Sequence, residues 1–290
     1  MIVAGADPVS PRNPILAATA GRNNLVLRLG SAAVMVPLAL GAAYLGSFAF
    51  LAFWMIAALG VLWEWDGLVC AHDKNAVFTI GAVAIIGSSL LWALDRPIPA
   101  LMLIGLGMLG ATSLASRIRR AWCVAGLAYA SVMLLASLVL RRDPALGFLA
   151  IVFVFAVVWS TDVVAYAAGR ALGGPKLMQR VSPNKTWTGA TGGLVAGIVG
   201  GVAVAKFAGI GNIAALGLVA FVLSVASQAG DLLESAIKRQ FDVKDTSWLI
   251  PGHGGLMDRL DGFITAVAAA VIIGILHGGV EAPGGGLLIW

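Results

Sequence analysis

The residues able to do chemistry crowd into one stretch of the chain. It reads Gly230-Asp231-Leu232-Leu233-Glu234-Ser235-Ala236-Ile237-Lys238-Arg239, then Lys244-Asp245, then Pro251-Gly252-His253-Gly254-Gly255-Leu256-Met257-Asp258-Arg259-Leu260-Asp261. On a helix, Asp231, Ser235 and Lys238 share one face, with Glu234 adjacent. Asp258 and Asp261, three residues apart at the start of a following helix, also face together. Two helix ends meeting there bring Asp231 close to the Asp258/Asp261 pair. Carboxylates gathered at a membrane surface repel unless a cation neutralises them, and hard oxygen donors without Cys or His pairs indicate Mg²⁺ or a similar ion. Taken singly, Asp258 and Asp261 also suit a helix N-terminus, and Lys238 and Arg239 suit orientation signals; neither account explains all of them in one stretch.

A second stretch carries Gly173-Gly174-Pro175-Lys176 and Ser182-Pro183-Asn184-Lys185-Thr186-Trp187. Lysines and hydroxyls in a glycine-flanked loop suit phosphate oxygens, although attraction to lipid headgroups explains the lysines too. Just before it, Asp162 lies inside an apolar run, with Tyr166 and Arg170 one and two turns later on the same face. An intramembrane carboxylate is a functional candidate by default. Glu64 and Asp66, within Trp63-Glu64-Trp65-Asp66, are open between a solvated helix end and a part in the site.

The elements that must position these residues are hydrophobic. Of 290 residues, 60% are hydrophobic and 11% charged, under half the charged share of a typical soluble domain (roughly a quarter). The expected fold is an all-α polytopic membrane protein. Apolar runs recur near 29–45, 47–69, 77–94, 98–115, 121–140, 146–169, 188–209, 213–236 and 256–279, which gives about nine transmembrane helices. Residues 1–27 read as a cytoplasmic tail, whose basic region is too long for a cleavable signal. Residues 28–145 read as a scaffold and candidate dimer surface, and 146–290 as the catalytic region. The glycines at 189, 192, 193, 197, 200 and 201 read as a helix-contact face. Cys70 and Cys123 offer no disulfide framework or metal-ligand spacing, and are expected in the core.

Orientation follows from the cations. The tail and the connections near 70–76, 116–120, 170–187 and 237–259 carry 15 of the 19 Lys and Arg residues; only Arg96, Arg141, Arg142 and Lys206 fall on the other side. This bias puts the N-terminus and the charged cluster in the cytoplasm. The net charge of +5 therefore speaks for membrane topology, and no nucleic-acid partner is expected.

The pattern Ser235-x-x-Lys238-Arg239-x4-Lys244-Asp245, then Pro251-x-His253-Gly254-Gly255-x-x-Asp258-Arg259-x-Asp261, resembles the signature of the phosphatidate cytidylyltransferase family (CDP-diacylglycerol synthases). The segment at Ser182–Trp187 and the Asp162 helix resemble the same family, so the likeness spans roughly residues 155–275. Two departures stand out: Gly262 and Thr246 occupy positions where many members carry serine. The resemblance implies Mg²⁺-dependent transfer of a cytidylyl group from CTP to phosphatidate, with one or two metal ions, in the inner (cytoplasmic) membrane and in contact with its lipids. It implies Asp231 and Asp258 as metal ligands, with Asp261 as a further ligand or supporting partner. Lys238, Arg239, Lys185 and Arg259 become phosphate clamps. Ser182, Thr186, Ser235 and His253 become hydrogen-bonding partners of substrate, with Asp162 beside them, and Gly254-Gly255 a turn that lets backbone approach phosphate. The rival readings are a CTP-dependent polyprenol kinase-like enzyme and an ion-coupled transporter.

Overall fold

The computed structural model describes residue 30 and residues 33–70, 73–244, 246, 247, 249 and 254–290; the tail at 1–27, Asp245 and His253 lie outside the described residues. The helices are α1 (Ala33–Leu45), α2 (Ser47–Val69), α3 (Lys74–Ala93), α4 (Pro97–Leu114), α5 (Arg120–Arg142), α6 (Gly147–Leu172), α7 (Trp187–Phe207), α8 (Ile213–Gln240), α9 (Met257–Gly278) and α10 (Pro283–Leu288). A short antiparallel hairpin, β1 (Lys176–Met178) and β2 (Ser182–Thr186), connects α6 to α7 and pairs Lys176 with Thr186.

Eight of these helices, α2 to α9, are long and apolar enough to cross a membrane, and the protein is an integral multi-pass membrane protein. Against the about nine spans expected, the described residues hold these eight together with the shorter apolar helix α1. Within the run expected at 29–45 the described helix is Ala33–Leu45, and residues 29, 31 and 32 lie outside the described residues. The chain breaks where α1 meets α2 because Gly46 takes φ 62°, which ends one helix and re-aims the next. The other limits fall within a few residues of the apolar runs. The difference that matters is α8, which runs on to Gln240 rather than stopping near 236 and so carries Lys238 and Arg239 on helix.

Packing explains how the ends meet. Along α7, a methyl at Gly189 would sit 2.7 Å from the Ala165 carbonyl of α6, and one at Gly193 would sit 2.7 Å from that of Thr161. The glycine face therefore lets two backbones touch, as expected for helix contact in lipid. Between α8 and α9 the same role falls to Gly230, where a side chain would strike the Asp261 carbonyl at 2.6 Å, and to Gly262, where it would strike the Ser227 hydroxyl at 2.5 Å. The glycine at 262, where many members of the family it resembles carry serine, is the space that Ser227 fills. Helix α2 is held against α9 by Trp54, which stacks on Phe263 at 4.6 Å.

Four connections gather at one end of the bundle. Arg119 donates to the Val69 carbonyl (2.7 Å), and the Ser116 N–H donates to Asp73 (3.0 Å), which join the α2–α3 and α4–α5 connections. Cys70 and Cys123 are paired as a disulfide at this end, with Cα atoms 5.9 Å apart. This corrects the expectation of two unpaired core cysteines. Both are buried as expected, but a separation of 53 residues gives no hint of pairing until α2 lies against α5.

Candidate active site

At the same end, α8 and α9 bring Asp231, Glu234 and Asp261 together, with one oxygen from each within 4.8 Å of the others. Asp231 and Glu234 are neighbours on one face of α8; Asp261 arrives from the first turns of α9 through the Gly230 contact. At 4.8 Å and an effective dielectric of about 20, two ionised carboxylates repel by about 3 kcal/mol. The sequence folds this way because cations offset that repulsion. Lys185, presented by β2, reaches the Asp231 carboxylate at 2.5 Å. Lys238, one turn after Glu234, bridges Glu234 (2.7 Å) and Asp258 (2.8 Å). Asp162 of α6 lies within electrostatic reach of Asp231, Lys185 and Arg259.

The donor set suits a hard divalent cation. All three groups are carboxylates, and Glu234 Oε1 is buried without a hydrogen-bond partner among the described residues. A buried acceptor of this kind is costly unless something engages it.

Asp258 is differently employed. Its Oδ1 accepts from Lys238; its Oδ2 accepts from the Gly255 N–H (2.8 Å) and from the N–H and hydroxyl of Thr246 (3.3 and 3.2 Å). It closes the connection between α8 and α9 onto the start of α9. Beneath it lies Glu64 of α2, only 2% exposed. Its carboxylate accepts from the N–H groups of Leu256 and Met257 (both 2.7 Å), from Ser247 (2.5 Å) and from Thr246 (3.2 Å). Leu256 and Met257 are the N-cap and first residue of α9. Glu64 thus satisfies donors that a helix start leaves orphaned, and lays a negative charge on its positive end.

Gly254 and Gly255 have distinct reasons to be glycine. Gly254 takes φ 84°. At Gly255 a methyl would press on both Glu64 carboxylate oxygens (2.8 and 2.9 Å) and collide with the Thr246 hydroxyl. Gly255→Ala is expected to destabilise the protein by about 1–3 kcal/mol through this overpacking. The checks are a lowered thermal unfolding temperature in detergent and a matching loss of activity; a melting curve that superimposes on wild type would contradict the packing described.

The remaining sequence candidates divide. Thr186 is 5% exposed, and its hydroxyl caps α7 by accepting from the Gly189 N–H at 3.1 Å. Arg239 is exposed on α8 and spans to the Val181 and Val243 carbonyls (3.4 and 3.3 Å), pinning the hairpin's approach. Ser182 and Ser235 are half-buried at the start of β2 and on α8. Two contributors were under-read in the sequence. Glu234 is signalled by its place one turn from both Asp231 and Lys238. Glu64 has only the oddity of an acid between tryptophans.

A family model described as the cytidylyltransferase family matches residues 26–276. A protein of Brucella suis named phosphatidate cytidylyltransferase is 40% identical over 264 residues, covering 90% of this chain and 97% of that protein. A Brucella abortus protein of the same name is 41% identical over 257 residues, 88% of this chain and 94% of that one. One from Staphylococcus haemolyticus is 41% identical over 145 residues, 50% of this chain and 55% of its own length.

Proposed function

This chain belongs to the cytidylyltransferase family, and from that premise we infer that it transfers the cytidylyl group of CTP to phosphatidate, giving CDP-diacylglycerol and pyrophosphate. The observation that carries the reading is the convergence of Asp231, Glu234 and Asp261 with Lys185 on Asp231. A phosphate oxygen of phosphatidate attacks the α-phosphorus of CTP. The new P–O bond forms there as the bond to the β-phosphate bridging oxygen breaks, and pyrophosphate leaves. The nucleophile is already anionic at neutral pH, so the site needs no strong base. Its task is to hold two polyanions together and stabilise charge on the transferring group.

We assign Asp231, Glu234 and Asp261 as the residues that would hold Mg²⁺, which when bound supplies charge neutralisation and polarises phosphoryl oxygens. One ion or two fit the same set of acids. Lys185 and Arg259 are placed as the cations facing substrate phosphates, with Ser182 and Ser235 as nearby hydroxyls. Lys238 and Asp258 are read here as the brace between α8 and α9. Because Lys238 already bridges two carboxylates, its role in binding phosphate requires an exchange of partners.

The site end is assigned to the cytoplasmic face of the inner membrane. The cation bias of its connections supports this, as does the need to meet cytosolic CTP while a lipid phosphate arrives at headgroup level. The N-terminus is assigned to the same face.

The test is incubation of the purified protein with phosphatidate and CTP labelled at the α-phosphate. Label is expected to enter lipid, and chelation of divalent cations is expected to lower the rate on the order of 10³-fold. Label that remains in CDP would instead indicate a lipid kinase, and absence of any CTP turnover would favour a transporter.

A further inference from the structure

The end of the bundle away from the carboxylates holds a cavity of ≈ 270 Å³ between α2, α3 and α5. Its walls are Phe50, Leu51, Trp92 and Leu138, and its polar groups include Arg141 and Arg142. Cations are disfavoured on this side by the same asymmetry that orients the chain: only four of the 19 lie there, and two of those four line this one cavity. Arg142 is accounted for, since it pairs with Asp95 at 2.5 Å and lies 5.9 Å from the centre of the Trp92 ring. Arg141 is not. It is half-buried and its Nε donates to the Ala43 carbonyl (2.8 Å), but among the described residues no carboxylate pairs with it. Its guanidinium lies against Gly46, where a side chain would meet Cζ at 3.0 Å. Among the described residues, one acid lining the cavity, Asp95, therefore faces two guanidiniums.

We propose that this cavity binds the phosphodiester of an anionic phospholipid from the leaflet opposite the active site. Arg141 and Arg142 would take the phosphate oxygens, and the apolar wall would take the upper part of the lipid. A guanidinium fork matches phosphate geometry, and a phosphate would supply a second negative charge. The proposal does not depend on the reaction at the other end.

The test uses the full-length protein in detergent with phosphatidylglycerol, phosphatidylcholine or inorganic phosphate, and reads retained lipid by native mass spectrometry. Wild type is expected to retain phosphatidylglycerol in preference to phosphatidylcholine. Arg141→Gln is expected to weaken that retention about tenfold, the size of one lost charge-assisted bond, while cytidylyl transfer stays unchanged. Equal retention by wild type and Arg141→Gln overturns the site. If Arg141→Gln fails to fold, Arg142→Gln on the exposed rim is read instead, and equal retention there overturns it too. Thermal stabilisation of wild type by inorganic phosphate, without selective lipid retention, overturns the lipid as the ligand.

Discussion

Asp231→Asn is expected to lower cytidylyl transfer on the order of 10³-fold. Asparagine keeps the shape and one acceptor oxygen but removes the charge that Asp231 contributes beside Glu234 and Asp261, and strips Lys185 of its 2.5 Å partner. The fold should survive, because removing one of three converging carboxylates relieves repulsion. Label transfer from CTP to lipid across a range of Mg²⁺ concentrations, read beside the thermal unfolding temperature, separates the two effects. Transfer within tenfold of wild type by a folded Asp231→Asn would remove Asp231 from the metal site.

The second large effect belongs to a residue far from that site in sequence. Glu64→Ala leaves two backbone N–H groups and the Ser247 hydroxyl without their acceptor at a position that is 2% exposed, while the Thr246 hydroxyl keeps Asp258. Stranding buried donors on this scale costs about 3–5 kcal/mol. It also frees the start of α9, which carries Asp258 and Asp261, so transfer should drop about 100-fold in whatever fraction remains folded, since small misplacements of catalytic groups cost about that much. Glu64→Gln, which keeps the volume and one acceptor oxygen, should fall between. The measurement is thermal unfolding with transfer assayed on the folded fraction. If Glu64→Ala matched wild type in both, the start of α9 would have to be held by something else.

These two expectations rest on different kinds of knowledge. Asp231 was legible in the sequence. An ionised group at the end of an apolar run has no cheap reason to be there, and its helical spacing to Ser235 and Lys238 puts it on a shared face. The spans were legible for the same physical reason: lipid offers the backbone no hydrogen bonds, so each crossing must be an uninterrupted apolar helix of about 20 residues. Seven of the apolar runs hence became helices with nearly the same limits, and α8 became a longer one. The signature residues around Gly254 and Asp258 were legible as a family pattern before any geometry was known.

The division of labour among the acids was not legible. Asp258 and Asp261 are equivalent by spacing at the start of one helix. Only the fold turns Asp261 toward Asp231 and Glu234, and spends both oxygens of Asp258 on Lys238, Gly255 and Thr246. Glu64 reaches Leu256 across 192 positions of sequence, Cys70 meets Cys123 across 53, and Arg141 lines a cavity whose one acid, Asp95, pairs with Arg142 instead. The sequence by itself determined which segments cross the membrane and which ionisable groups sit at their ends, because local periodicity and burial cost decide those. The tertiary structure alone decided which of those groups touch, because helix contacts are set by where glycine lets two backbones close, and no local spacing records the partner.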